Sequence, residues 1–428
     1  MKMRDSTRRE FIQGVVATGA MMGVALPGTA AGREARVVGA NDRISIGLIG
    51  CGGRGRWILE NMVKPANANT DLVAVCDIWK HRQETYPDEA EKLFGRKPKV
   101  YPDYRQLLED RDVDAVIIAT PDHQHCGQTI DAVQAGKHVY VEKPIAPLAV
   151  DLPALNRCRD VVKESKMVVQ HGTQGVSGPG AQALKAFIAE KKLGKLFRVE
   201  SSESLVVPYW VNYKGPQTEG ETNWKDFLYN RPNRVFNAHL HACWMGYYEF
   251  TSAAIGGWMS HFINMVHFVT GCGMPVAATA FGGRYSAAND ARCDAPDQVT
   301  VVIEYAEGFH TQFVSHFGST INSEATLFLF EKGAVRCGFG HDIGNPSFSS
   351  EGVNDGMKEQ TLLETKPPYP GQAHVTNWFE CIRNGGQPNA NMDFGYMHGI
   401  AVILGDQAYA QHRRVVFDED KREVKLAT

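Results

Sequence analysis

Short, mainly apolar runs recur between Ile44 and Gln170, separated by stretches of helical period. Ile44–Ile49, Leu72–Cys76, Ala115–Thr120 and His138–Val141 are such runs, and Met167–Gln170 opens another. A run of this kind reads as a strand buried on both faces, and strands that alternate with helices build a parallel sheet. The intervening helices are expected to start at Tyr104, to span Thr129–Ala135 with Gly136 as cap, and to span Asp151–Ser165. Leu196–Glu203 reads as a further strand. From Val276 the period changes to two, the mark of strands with one face in the core, over Val276–Phe281, Gln298–Tyr305, His310–His316, Ala325–Phe330 and Ala334–Gly338. Helices are expected over 181–193, from Gly256 to His267, and over His374–Arg383 and Gly395–His412, with a short strand at Val415–Phe417. The Gly/Pro/Ser-rich stretch 342–370 reads as an exposed arm or a lid.

The N-terminus carries a different pattern. Arg8 and Arg9 precede Phe11, an apolar stretch Gly14–Ala25 follows, and small residues run to Gly32. That is a charged region, a short apolar region and a small-residue cleavage site. The paired arginines resemble the twin-arginine export signal, which implies a periplasmic or otherwise exported protein. The apolar stretch is short for a membrane span and is closed by Pro27, so no stable span is expected after cleavage. The division expected is a signal peptide over 1–32, a linker over 33–42, a dinucleotide-binding domain over 43–165 and a second α/β domain over 166–428.

Composition narrows the class. Hydrophobic residues make up 43% and charged residues 22%, an ordinary globular balance. The formal net charge is -3 with no long basic run, which argues against a nucleic-acid surface. The nine cysteines stand singly without a C-x-x-C pair, so neither a zinc ribbon nor a disulfide framework is indicated.

The candidate chemistry starts at Gly50, Gly52 and Gly55, with Gly53 and Arg54 between them. G-x-G-x-x-G between a strand and a helix suits a pyrophosphate: tight turn, close backbone approach, close helix packing. Asp77 ends the next strand, 22 positions beyond Gly55, where a ribose-binding acid belongs. Its charge favours NAD over NADP, although Lys80 and Arg82 lie near enough to accept a 2′-phosphate. Ligands bind beyond the carboxyl ends of parallel strands. Thr120, Pro121, His123 and His125 follow one such end, and Glu142-Lys143-Pro144 follows the next. Lys143 is placed to hydrogen-bond a substrate hydroxyl. His125 reads as a hydrogen-bonding residue of substrate or cofactor, not as a metal ligand, because no acid or thiolate cluster accompanies it. His239, His241 and Cys243 would share one face of an extended segment, yet no second ligand cluster supports a metal there. Trp244 and Tyr248 lie in an aromatic-rich stretch that serves either a sugar face or the core.

The glycine turn, Thr120-Pro121-Asp122-His123 and Gly136–Pro144 together resemble the glucose-fructose oxidoreductase / inositol dehydrogenase / rhizopine catabolism (Gfo/Idh/MocA) family. Gln170–Gln174 is similar to that family's entry into its second domain. The resemblance implies a Rossmann domain followed by an α/β domain with a large, mostly antiparallel open-faced sheet. It implies NAD or NADP as cofactor, with Thr120, Pro121, His123, Glu142, Lys143 and Gln174 beside the glycines and Asp77. It implies a sugar or cyclitol as substrate, and a homodimer or homotetramer formed through the open sheet. The family carries Asp-x-x-x-His-x-x-Asp on the helix that here reads Gly257, His261 and Asn264. His261 keeps the catalytic histidine beside Lys143, Asn264 is left as a substrate-binding residue, and both acids are missing. The implied activity is oxidation of a sugar hydroxyl by a tightly held nicotinamide. Two alternatives remain: a redox-neutral NAD-dependent glycosidase, similar in its exported size and in Ser260-His261, and a non-catalytic binding protein.

Overall fold

The computed structural model describes Gly39 and residues 42–190, 193–211, 213–320, 325–350 and 358–427. The expected signal peptide and most of the expected linker lie outside the described residues. Two sheets carry the fold.

The first sheet has six strands: β1 (Ile44–Ile49), β2 (Thr70–Cys76), β3 (Lys99–Tyr101), β4 (Ala115–Ile118), β5 (His138–Val141) and β6 (Val169–His171). Their order is β3-β2-β1-β4-β5-β6, every pair parallel. β4 and β5 are buried at every residue, as helices on both faces require. The order reverses beside β1, and the crevice over the β1 and β4 ends is the switch point where such sheets bind ligands. Val169–His171 was expected to open the second unit. It instead hydrogen-bonds to β5 as the sixth parallel strand, with Val169, Gln170 and His171 all buried.

The second sheet has ten strands. They are β7 (Leu196–Leu205), β8 (Pro275–Gly283), β9 (Gln298–Tyr305), β10 (His310–Phe317), β11 (Thr326–Phe330), β12 (Gly333–Cys337), β13 (Ser347–Ser349), β14 (Gln360–Thr361), β15 (Val415–Asp418) and β16 (Glu423–Leu426). Their order is β14-β13-β12-β11-β7-β10-β9-β8-β15-β16, antiparallel throughout except for β7 and β10. β9 and β10 alternate strictly between buried and half-buried residues, so one face packs and the other is open. The helices Ser260–Thr270 and Met392–Gln411 pack together, and the latter lies against β8 and β9. That helix starts three residues earlier than the periodicity predicts. The Asn391 side chain caps it by accepting from the N–H groups of Asp393 and Phe394. The 342–370 stretch is no free arm over its described part: β13 and β14 extend the sheet edge, and Tyr369 reaches the cleft described below.

Candidate active site

A cleft of 620 Å³ runs from the glycine turn to the helix that bears His261. Its volume is that of a small-molecule site. Gly50 has φ +94°, and a Cβ there would lie 2.6 Å from the Ala119 carbonyl oxygen, so only glycine makes this turn. A Cβ on Gly55 would lie 2.2 Å from the Gly50 carbonyl oxygen, which shows how closely the helix starts against the strand. Gly55 therefore serves packing, while Gly52, Gly53 and Arg54 form the cleft wall. Nothing lies within 4 Å of a Cβ on Gly53. The turn is an open backbone cradle at a helix N-terminus, which fits a pyrophosphate.

Asp77 lines the cleft at the end of β2. Its Oδ2 accepts from the Cys51 N–H at 2.8 Å and its Oδ1 from the Trp79 N–H at 2.9 Å. Arg82 reaches Oδ2 at 3.4 Å and lies over the Trp79 ring. The carboxylate thus locks the glycine turn to the β2 end. Oδ1, with one donor among the described residues, keeps acceptor capacity for a ribose hydroxyl.

At the β4 end, Thr120, Pro121 and His125 line the cleft. The His125 ring nitrogens face the Pro144 and Thr120 carbonyl oxygens at 2.7 and 2.9 Å. His125 ties the loop after β4 to the loop after β5; its neutral ring carries one N–H, which donates to one of the two carbonyl oxygens. His123 is not in the cleft wall. Its ring packs on Phe227 and Phe250, and its Nε2 bonds the Phe227 carbonyl.

Glu142 is buried, and its Oε1 accepts from Arg54 at 2.9 Å and from Gln174 at 3.3 Å. Burial alone would raise its pKa, but Arg54 and Lys143 hold it below the ordinary carboxylate value. Gln174 also donates to Tyr140 Oη at 2.6 Å, so Glu142, Arg54, Tyr140 and Gln174 form one polar floor. Lys143 projects into the cleft and donates to the Gly257 carbonyl oxygen. Burial lowers its pKa, with Glu142 and Asp122 partly offsetting that effect. His261 stands one turn beyond Gly257, and burial, then the Lys143 charge, lowers its pKa well below the usual value. Its imidazole is neutral at neutral pH, and its Nδ1 has no partner among the described residues.

The residues Ile255–Met259 form a π turn before the helix that starts at Ser260. Such turns are frequent at functional sites. Both glycines in it are close-contact positions: a Cβ on Gly256 would lie 3.0 Å from Pro144 Cγ, and one on Gly257 would lie 2.3 Å from Tyr209 Oη. Asn264 points away from the cleft. It is fully buried and donates to Thr173 Oγ1 at 2.7 Å, which ties the helix to the β6 end. Tyr248 is also elsewhere, donating to Asp406 and receiving no place in the cleft wall. Trp244 does line the cleft.

The segment around His239 is a short helix, Ala238–Ala242, and not an extended strand. Asn237 caps it by accepting from the Leu240 N–H at 2.9 Å. His239 therefore turns to Tyr247 and Asp290, while His241 faces the cleft. Among the described residues no group of three or more His, Cys, Asp or Glu is placed to hold a metal ion.

Sequence reasoning missed the roof of the cleft. Thr222 forms an isolated bridge with Trp79, Asn223 donates to the Ile78 carbonyl, and Gln124 reaches the Phe227 carbonyl at 3.0 Å. Arg231 closes the segment onto Asp151 through two 2.8 Å bonds. The roof brings Asp226, Phe227 and His241 over the end of the cleft near Asp77. Tyr209, His341 and Tyr369 were also missed. Gly340 was a usable signal, since a Cβ there would lie 2.4 Å from the His261 carbonyl oxygen and bar the approach of the loop bearing His341.

Residues 44–173 match the family GFO_IDH_MocA, described as "Oxidoreductase family, NAD-binding Rossmann fold". Inositol 2-dehydrogenase of Salmonella typhimurium is 30% identical over 185 residues, 42% of this chain and 51% of that protein. The chain thus spans about half the length of the inositol dehydrogenase it matches. A glycosyl hydrolase family 109 protein of Solibacter usitatus is 31% identical over 140 residues, 31% of this chain and 30% of that protein. A solved levoglucosan dehydrogenase, in complex with NADH and levoglucosan, superposes with TM-score 0.67 at 19% identity. The superposition covers 87% of this chain and 99% of that one, and it establishes a shared fold. The open glycine cradle and the cleft-wall Asp77 fit an NAD(P) molecule laid across the switch point.

Proposed function

We propose that this chain, whose first sheet is the NAD-binding Rossmann fold of the Gfo/Idh/MocA oxidoreductase family, is an exported oxidoreductase that oxidises a hydroxyl of a sugar or glycoside and holds its NAD(P) tightly. The observation that carries the reading is the placement of the half-buried Lys143 and the buried His261 in the same cleft as the glycine turn and Asp77. Gly52, Gly53 and Arg54 would hold the pyrophosphate and Asp77 the ribose, with NAD preferred over NADP by the carboxylate. The nicotinamide, when bound, accepts or returns hydride at the sugar carbon. Removing hydride from an alcohol requires a base for the hydroxyl proton. Neutral His261 accepts that proton, and Lys143 holds the same oxygen by hydrogen bonding. Trp244 offers an apolar face to the sugar ring.

The roof over the Asp77 end supports retention of the cofactor, which an enzyme working away from a nucleotide pool requires. Arg8 and Arg9 support export by the twin-arginine route. Replacing both by lysine is expected to leave the protein inside the cell, and unchanged export would remove this part of the proposal. Phe281, Val302 and Val314 lie on the open face of β8, β9 and β10, which supports assembly of two or four copies through that face. Mass measurement in solution tests it.

The second reading is a glycosidase that oxidises a hydroxyl transiently, eliminates the aglycone and reduces the ring again. Similarity to family 109 glycosyl hydrolases favours it. One experiment separates the readings. The protein is purified without added cofactor, bound nucleotide is released and identified, and polyols and glycosides are supplied. Stoichiometric nicotinamide reduction, or paired oxidation and reduction of two sugars, supports the oxidoreductase. Glycoside cleavage without net reduction supports the glycosidase. Failure to bind any nicotinamide nucleotide removes both and leaves the non-catalytic reading.

A further inference from the structure

Tyr209 follows β7 and reaches the cleft from the second sheet. Its ring is held edge-on to Trp210, Phe317 and Trp258, with centroids 5.0, 5.7 and 6.2 Å away. Its hydroxyl lies where a side chain of residue 257 would begin. A Cβ on Gly257 would stand 2.3 Å from Tyr209 Oη and 3.0 Å from its Cζ, distances that side chains do not tolerate. Residue 257 and Tyr209 therefore compete for one volume, and this chain fills it with a phenol. The Gly257 carbonyl holds Lys143 Nζ, and His261 follows one turn later on the same wall. Asp122 completes the cluster. Its buried carboxyl accepts from Thr251 Oγ1 at 3.1 Å and interacts electrostatically with both Lys143 and Tyr209.

We propose that Tyr209 is a catalytic residue whose O–H donates a hydrogen bond to the oxygen of the reacting hydroxyl, beside Lys143 and His261. The inference rests on the oxidoreductase reading above. Burial first, and the Asp122 charge second, raise the phenol pKa well above its usual value, so the group remains a donor at neutral pH. A fixed donor aimed at an oxygen whose charge changes during the reaction lowers the barrier without reorganisation. Tyr209 neither gains nor loses a proton in the step; the hydroxyl proton goes to His261.

The test combines Tyr209→Phe, Gly257→Asp, Tyr209→Ala and the pair Tyr209→Ala/Gly257→Asp. Each is measured for thermal stability and for NAD+ reduction with myo-inositol, levoglucosan and a panel of glycosides. Tyr209→Phe is expected to melt like the wild type and to lose about 10²-fold in kcat with little change in KM. Gly257→Asp alone is expected to melt lower, and the added Tyr209→Ala to recover both stability and part of the turnover. Wild-type kcat in Tyr209→Phe would overturn the catalytic role. A pair no more stable than the sum of its single changes would overturn the shared volume. Absence of turnover by the wild type on every probe would count against the oxidoreductase reading, and with it the catalytic role, while the stability comparison still decides the shared volume.

Discussion

The ammonium group of Lys143 donates to the main-chain carbonyl oxygen of Gly257. The end of β5 and the π turn before His261 are thereby joined through a lysine that interacts electrostatically with both Glu142 and Asp122. The bond places the charge of the first sheet against the helix of the second. Lys143→Met is expected to lower kcat by about 10²–10⁴. Calorimetric titration of NAD+ should show affinity changed by less than about tenfold, since the glycine turn is untouched. Equal losses of kcat and of NAD+ affinity would show that Lys143 serves only the cofactor.

The two glycines on either side of Arg54 should respond oppositely to alanine. Gly55→Ala forces a Cβ against the Gly50 carbonyl oxygen, 2.2 Å away, and is expected to destabilise the fold and abolish nucleotide binding. Gly53→Ala meets nothing within 4 Å and stands in the first helical turn. It should leave stability unchanged or raise it by up to about 1 kcal/mol. Its methyl group would protrude into the cradle, so NAD+ affinity should still fall. Urea denaturation and calorimetry on both variants separate the two effects.

The side chains of Arg231 and Asp151 are each 3% exposed and share two bonds of 2.8 Å. Removing the arginine leaves a buried carboxylate without its cation. Arg231→Met is expected to cost about 3–5 kcal/mol in urea denaturation. The same change frees the roof segment from the first sheet, so release of NADH, followed by its fluorescence, should accelerate. Stability loss without faster release would mean that the roof is held by its other bonds to Ile78 and Gln124.

Burial pushes His241, His267 and His398 down to about 3, and His138 and His374 down to about 4. In the unfolded chain these rings titrate near pH 6.5, roughly. Between those limits the unfolded state binds more protons, so stability rises with pH and is fully present above about pH 6.5. Asp122 acts in the opposite direction. Burial raises its pKa to about 7, so the native state binds the extra proton and stability from this group declines as pH rises towards that value. Five rings outweigh one carboxyl, and the melting temperature is expected to fall as pH is lowered from 7 to 4.5, roughly. A flat profile over that interval would show that the histidines are charged in the native state.

Local pattern determined much of this protein. The apolar runs of β1, β2, β4 and β5, the period-two strands of the second sheet, the glycine turn, Asp77 and Lys143 follow from spacing and residue type, because backbone geometry and burial act on neighbours in the chain. The tertiary structure decided the rest. His123, Tyr248 and Asn264 have the right chemistry, but packing directs them to Phe227, Asp406 and Thr173 instead of the cleft. Val169–His171 joined the first sheet because an edge of β5 was open to it. The glycine at residue 257 is visible in the sequence, but its meaning is not. Only the fold brings Tyr209, 48 positions earlier in the chain, into the volume that Gly257 leaves empty. No periodicity encodes a contact between a loop after one strand and a π turn before a distant helix; two sheets must first pack for that contact to exist.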